Sequence, residues 1–366
     1  MTVYVSMPLR GAGAGDGRDA MDGARLALAQ ARGRVGELAV RATYLDDTGG
    51  RGRAARWSGA RAAANARRAA QDSTAIAYIG DFQSGATRSS LPVTNEARML
   101  QVSPASSAVD LVQPYLGAGD QIPSDTQPTG ERTFGRVIPS DEVQAEAAAG
   151  WARRLGARRV AAVSDGSTFG DTMVESFRAA VPRSARAVVS RSDLLYYGGT
   201  AGGVPSVVRR ELVPCPSRTV IASDAMFGSP LLRGVPSGPA ACPSAPVGGS
   251  APRGVLLTSA AQDPAQLSAA GQRFVRAFRK RYRRPPGRYA AYGYEAMAVV
   301  LDSIRRAGSA GDDRDAVVSA FFDTRDRRSI LGRYSVDEVG DTTLNRLAGY
   351  RVRAGRPVFS TSLKGS

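Results

Sequence analysis

Short apolar runs and longer amphipathic stretches take turns along the first third of the chain. Positions 3–8, 38–45, 75–80 and 99–103 are near-continuous apolar runs of strand length. Between them, 19–32, 53–71 and 84–97 carry apolar residues at helical spacing, as with Met21, Ala24, Leu28 and Ala31. This β-α-β-α-β-α-β order predicts an α/β fold with a parallel sheet covered on both faces. Residues 115–132, rich in Gly, Pro, Asp, Ser and Thr, read as a loop. The alternation then resumes, with strands at 134–138, 159–164, 185–190 and 219–223 and helices at 141–155, 171–180 and 204–212. A second Pro/Gly/Ser loop covers 234–253, and 254–259 is a strand. The last third predicts helices at 264–282, 289–307 and 312–322. Alternating residues at 333–359 then predict two or three short antiparallel strands.

At 366 residues, two units of ordinary domain size are expected. The chain carries 49 Lys plus Arg against 33 Asp plus Glu, a formal +16, and only Lys280 and Lys364 are lysines. Such a balance suggests nucleic acid, but the basic pairs are spread over the whole length and no helix-turn-helix, zinc module or aromatic-basic interleaving accompanies them. The densest cluster, Arg279-Lys280-Arg281-Tyr282-Arg283-Arg284, could meet phosphates or an anionic membrane. The plainer expectation is a solvated helix end. The chain has no histidine, which removes His-based triads and zinc sites with a His ligand. It lowers the expectation of an enzyme, and no cofactor or metal is expected. Nothing approaches the ~18–20 apolar residues of a membrane span. The chain opens directly on a strand pattern, so for an exported protein the signal is expected to have been removed ahead of it.

Cys215 and Cys242, both beside prolines, are the two cysteines. A bridge between them would contribute about 3.5 kcal/mol and imply an oxidising compartment. Two unpaired thiols in a cytosolic protein are the alternative.

Several turns could carry chemistry. Gly11-Ala12-Gly13-Ala14-Gly15-Asp16-Gly17 follows a strand, but its spacing departs from the dinucleotide fingerprint. Ile79-Gly80-Asp81-Phe82-Gln83-Ser84 and Ser103-Pro104-Ala105-Ser106-Ser107 each run from strand through turn to a helix start. Such ends present free N–H groups and hydroxyls that suit an anion, although plain capping also explains a serine there. Val163-Ser164-Asp165 and Ile221-Ala222-Ser223-Asp224 end strands of the second unit with carboxylates. Donors in one unit and carboxylates in the other would match both charges of a zwitterion.

The order of these motifs resembles the type I periplasmic binding proteins, specifically the branched-chain amino acid-binding group that serves ABC importers. The likeness runs from Met21-Asp22-Gly23-Ala24 and Tyr44-Leu45-Asp46-Asp47 through Ala77-Tyr78-Ile79-Gly80, Ser103-Pro104-Ala105 and Phe134-Gly135-Arg136. It continues through Thr168-Phe169-Gly170-Asp171 and Leu195-Tyr196-Tyr197-Gly198-Gly199 to Tyr292-Gly293-Tyr294-Glu295-Ala296. The resemblance implies two Rossmann-like, doubly wound parallel-sheet lobes joined by three crossover hinge strands that close on ligand. It places 1–136 plus 259–330 in lobe 1 and 137–258 plus 331–366 in lobe 2, with crossings near 136–140, 254–259 and 329–334. It implies that Ser84, Ala105 and Ser107 hold a ligand carboxylate and Asp224 an ammonium, in an interlobe cleft. Asp16, Phe82, Phe169, Tyr197, Thr200 and Phe227 would form the pocket wall. Phe169 stands where relatives usually have Tyr, Thr200 or Ala201 where they have a second Tyr, and Asp16 near a position that is aromatic in relatives. Asp16 would favour a polar or cationic ligand end.

The implied protein is a monomeric, extracytoplasmic substrate-binding component, with an ABC permease as partner, an amino acid or related small zwitterion as ligand and a possible lipid anchor. A sensor of the same fold is the alternative. A nucleotide-using enzyme and a nucleic-acid-binding protein are lesser alternatives.

Overall fold

The computed structural model describes residues 1–365 except 12, 53–54, 116, 213–216 and 236–253. Cys215 and Cys242 lie outside the described residues. In chain order come β1 (Thr2–Met7), α1 (Ala14–Gln30), β2 (Arg41–Asp46), α2 (Gly59–Ala70), β3 (Ala75–Ile79), α3 (Ser84–Glu96), β4 (Leu100–Ser103) and β5 (Phe134–Arg136). Then follow α4 (Asp141–Arg154), β6 (Val160–Val163), α5 (Thr168–Ala180), β7 (Leu194–Tyr197), α6 (Ser206–Arg209), β8 (Thr219–Ala222) and β9 (Gly254–Ser259). The chain closes with α7 (Ala269–Tyr282), α8 (Ala290–Arg306), α9 (Arg314–Phe322) and the hairpin β10 (Arg346–Arg353) and β11 (Arg356–Lys364). Three further ladders of two residues per strand decorate the loops.

The chain divides into two compact units, Met1–Pro139 with Pro264–Leu344 and Ser140–Asp263 with Asn345–Ser366. Each changeover lies a few residues or more beyond the boundary expected from the sequence. The third differs most, since residues 331–344 stay with unit 1. Arg136 explains this. Its buried guanidinium grips Asp341 through two bonds, Nε–Oδ1 at 2.5 Å and Nη2–Oδ2 at 2.8 Å, and its N–H donates to the Gly340 carbonyl.

Unit 1 holds a five-stranded, all-parallel sheet in the order β2-β1-β3-β4-β5. β1 and β3 are buried along their whole length, as their apolar runs demand. The order reverses between β1 and β3, and such a switch point opens a crevice at the strands' C-terminal ends. Against this sheet α1 and α8 pack backbone to backbone. A Cβ on Gly23 would stand 1.9 Å from the Ala290 carbonyl oxygen, and one on Gly293 1.9 Å from that of Ala20.

Unit 2 holds a six-stranded sheet, β6-β7-β8-β9-β10-β11, parallel as far as β9 and antiparallel beyond. Its core gathers Leu195, Tyr197, Val208, Val220, Leu257 and Tyr350. Here the sequence expectation needs correction. The strand expected at 185–190 is two 3-10 turns, Arg183–Ala185 and Val189–Arg191, and the strand is the fully buried Leu194–Tyr197. Val188 is 64% exposed, so its apolar run does not enter the core. The helix expected over 204–212 is the single turn α6. The final strands are one long hairpin reaching Lys364 rather than several short ones.

Candidate functional site

In unit 1, the turns after β3 and β4 come together. Ser84 is the first residue of α3, and its Oγ accepts from the Ala108 N–H at 3.3 Å, so the two turns are stitched side by side. The helix is preceded by Gln83, whose side chain does not cap it, leaving first-turn amides without intrahelical acceptors. Ser107, half-buried, makes no hydrogen bond with any described residue. Ser84 and Ser107 therefore present uncommitted N–H and O–H donors next to one another. Ala105 differs, because its N–H already donates to Ser103 Oγ at 3.2 Å, leaving its carbonyl as the group to offer.

A buried polar scaffold holds these turns. Ser103 Oγ and Ser106 Oγ donate to the Asp81 carbonyl at 2.7 and 3.0 Å, and Thr87 and Ser106 share a hydroxyl bond of 2.7 Å. Arg136 Nη1 donates to the Ala108 carbonyl at 2.7 Å, pinning the loop from below. Gly80 begins the turn at φ +144°, and a Cβ there would stand 2.6 Å from the Ser6 carbonyl oxygen, so only glycine fits. The carboxylate of Asp81 is fully buried, and its Oδ1 accepts from Ser6 Oγ at 2.7 Å and Tyr78 OH at 3.2 Å.

Beside it lies a second fully buried carboxyl, Asp47, and neither its oxygens nor Asp81 Oδ2 has a hydrogen-bond partner among the described residues. Burial first, then the neighbouring Asp81 and Asp46, push the Asp47 carboxyl up to about 8. Burial likewise raises Asp81, to about 6, against the opposing pull of its hydroxyl donors. The motif Tyr44-Leu45-Asp46-Asp47 is visible in the sequence, but its approach to Asp81 is a long-range contact that no local pattern signals.

The expected wall residues of unit 1 are both near this edge, and both are already engaged. Phe82 is buried edge-on against Tyr289, ring centroids 4.6 Å apart. Asp16, in the first turn of α1, lies 3.5 Å from the Arg288 guanidinium. That cation offsets the negative charge on which a preference for cationic ligands was expected to rest.

In unit 2, Asp224 opens a 3-10 turn directly after β8 and is half-buried. Gln144, which the sequence reading missed, donates from Nε2 to Asp224 Oδ1 at 3.3 Å and to Thr258 Oγ1 at 3.0 Å. This amide orients the carboxylate from the first turn of α4. Phe169, the second residue of α5, is half-buried and stands at the end of β6. Phe227 packs edge-on to Tyr350 at 5.1 Å.

Two of the expected wall residues have other tasks. Tyr197 is fully buried in the unit 2 core, with its hydroxyl donating to the Thr200 carbonyl at 2.6 Å. It is a core residue, drawn in because β7 is buried on both faces. Thr200 donates both N–H and Oγ1 to Asp165 Oδ2 at 2.9 Å. Burial would raise the Asp165 carboxyl, but the donors from Ser167 and Thr200 outweigh it and hold it below the usual range. Asp165 thus ties two loops together. Cys215 and Cys242 are not among the described residues.

A family model described as periplasmic binding protein matches residues 2–193 and 238–356. The chain is 24% identical over 307 residues to a Leu/Ile/Val-binding protein of Rhizobium johnstonii, covering 76% of this chain and 74% of that protein. A leucine-binding protein of Thermotoga maritima MSB8 superposes with a TM-score of 0.71 at 23% identity, over 100% of this chain and 99% of the other. A solute-binding protein of Rhodopseudomonas palustris BisB5, in complex with 3,4-dihydroxybenzoic acid, gives a TM-score of 0.69 at 17% identity over 100% and 97%. These likenesses establish the fold that the sequence resemblance implied.

Proposed function

The chain belongs to the periplasmic binding protein family, extracytoplasmic solute-binding proteins and not enzymes, and from that premise we propose that it captures an amino acid or similar small zwitterion for an ABC permease. The observation that carries the ligand class is the pair of uncommitted donors, Ser84 and Ser107, stitched together at the C-terminal ends of β3 and β4, next to the switch point of a parallel sheet. They suit a carboxylate by charge-assisted hydrogen bonding. Asp224, steadied by Gln144, is the group assigned to the ammonium. Ala105 contributes its carbonyl and so fits the ammonium better than the carboxylate for which the family resemblance cast it. The half-buried Phe169 ring is assigned to the ligand's side chain.

A second reading, an aromatic carboxylic acid, draws support from the fold neighbour that holds 3,4-dihydroxybenzoic acid. Such a ligand uses the serine donors and has no ammonium for Asp224. A thermal-shift screen against amino acids and benzoic acids, followed by calorimetry, separates the two, since a ligand of the folded state raises apparent stability. For an amino acid, Ser84→Ala and Asp224→Ala each weaken binding by about 1.5–3 kcal/mol. For an aromatic acid only Ser84→Ala does. Unchanged affinity in both variants on a confirmed ligand would sink the site assignment.

A further inference from the structure

The outer face of α7 is a continuous cationic strip. Its sequence contains Arg273, Arg276, Arg279, Lys280 and Arg281 and no acidic residue, and Arg283 follows in a left-handed C-cap. All six are exposed, and none forms an ion pair with a described carboxylate. The inner face carries Phe274, Val275 and Phe278 into the core, so at 100° per residue Arg273, Arg276 and Lys280 project together, away from it. The strip from Arg273 to Arg283 is roughly 15 Å long.

Complementing the helix dipole accounts for cations in the last turn, not for Arg273 and Arg276 further up. Nor does arginine-rich composition account for it alone, because arginines nearby are matched. Arg284 pairs with Asp19 and Asp22, while Arg305 and Arg306 pair with Asp302. We infer that the exposed face of α7 docks on the surface of a bilayer containing anionic phospholipid. Like charges at this density repel one another, and a dense array of phosphate charges is the partner that relieves all of them together. The inference goes beyond ligand capture and takes from that reading only that the protein works beside a membrane.

The test is co-sedimentation of the full chain with vesicles of phosphatidylcholine alone or with about one-third phosphatidylglycerol, at near-physiological salt. Binding is expected to the anionic vesicles only, and to fall as salt rises. A triple variant, Arg273→Glu with Arg276→Glu and Lys280→Glu, should raise the half-binding lipid concentration more than ~tenfold. The control carries the same charge change in unit 2, as Arg153→Glu, Arg154→Glu and Arg158→Glu, all exposed positions. It should lose far less. Equal losses in the two variants would mean that total charge, not α7, draws the protein down, and would overturn the proposal. So would wild-type protein that ignores anionic vesicles. Ligand binding by calorimetry is expected to survive in the α7 variant, so its fold and the proposed ligand site are judged separately.

Discussion

Both units bring the chain back beside their first strand, but they finish the edge differently. In unit 1 the segment after α1 becomes β2, six residues in parallel register with β1 from Thr2–Arg41 to Met7–Asp46. In unit 2 the segment after α5 meets β6 at one parallel bridge, Val160 with Arg186, and continues as a 3-10 turn tied down by Arg218. A short, arginine-flanked edge offers little for another chain to pair with. The complete edge has a further consequence. β2 delivers Asp46 and Asp47 to the end of the sheet, where Asp47 meets Asp81 beneath the candidate anion site. The candidate donors of unit 1 therefore rest on a buried polar scaffold, whereas Asp224 in unit 2 follows its strand directly and accepts from the Gln144 amide. Unit 1 should be costly to perturb in stability, and unit 2 in affinity.

The strongest way to break this contrast is Arg136→Ala. The side chain is fully buried and satisfies Asp341 and the Ala108 carbonyl at once. Removing it leaves a carboxylate with its partner gone, which costs about 3–5 kcal/mol. A lowered denaturation midpoint and faster hydrogen exchange in the 103–110 loop are expected. A melting curve matching the wild type would show that the loop does not depend on this guanidinium.

Next in size is the acidic pair. Asp47 has a folded-state value near 8 against an ordinary 3.8, so the folded protein keeps a proton that the unfolded chain releases. Unfolding then releases that proton, and the stability conferred by the neutral carboxyl is complete below about pH 4. It is lost progressively as pH rises toward 8. Asp47→Asn removes the titration. It should match the wild type near pH 4 and exceed it by on the order of 2 kcal/mol at pH 8. Urea titrations at the two pH values decide this, and a wild-type stability that rises from pH 4 to 8 together with a variant no more stable at pH 8 would refute it.

The sequence made the scaffold of both units legible because a buried parallel strand must be apolar on both faces, and such runs stand out between amphipathic helices. It misled where apolar residues were few and the edge was optional. Ala187-Val188-Val189 resembles a strand, yet that segment meets β6 through a single bridge at Arg186, while the strand that forms, Leu194–Tyr197, overlaps the motif Leu195-Tyr196-Tyr197-Gly198-Gly199. The candidate donors Ser84 and Ser107 were legible as helix-start residues. What they lacked or already had as partners was not, since Ala108 and Ser103 are brought to them by the fold. The partners of Tyr197 and Thr200 are hidden for the same reason. Alternation along the chain cannot say that a tyrosine in a doubly covered strand points inward, or that Asp165 will consume both donors of Thr200.

The smallest expected effect sharpens the contrast from the other side. Gln144→Ala deletes the amide that donates to Asp224 and Thr258 without touching the carboxylate itself. The bond to Asp224 is long, at 3.3 Å, so its loss should weaken binding of a zwitterionic ligand by only about 1 kcal/mol. Calorimetry on the variant distinguishes two outcomes. A small affinity loss that disappears in the Asp224→Ala background shows that Gln144 acts through the carboxylate. A loss that persists in that background would mean the amide reaches the ligand directly, and unit 2 would then hold its charge with two groups rather than one positioned by the other.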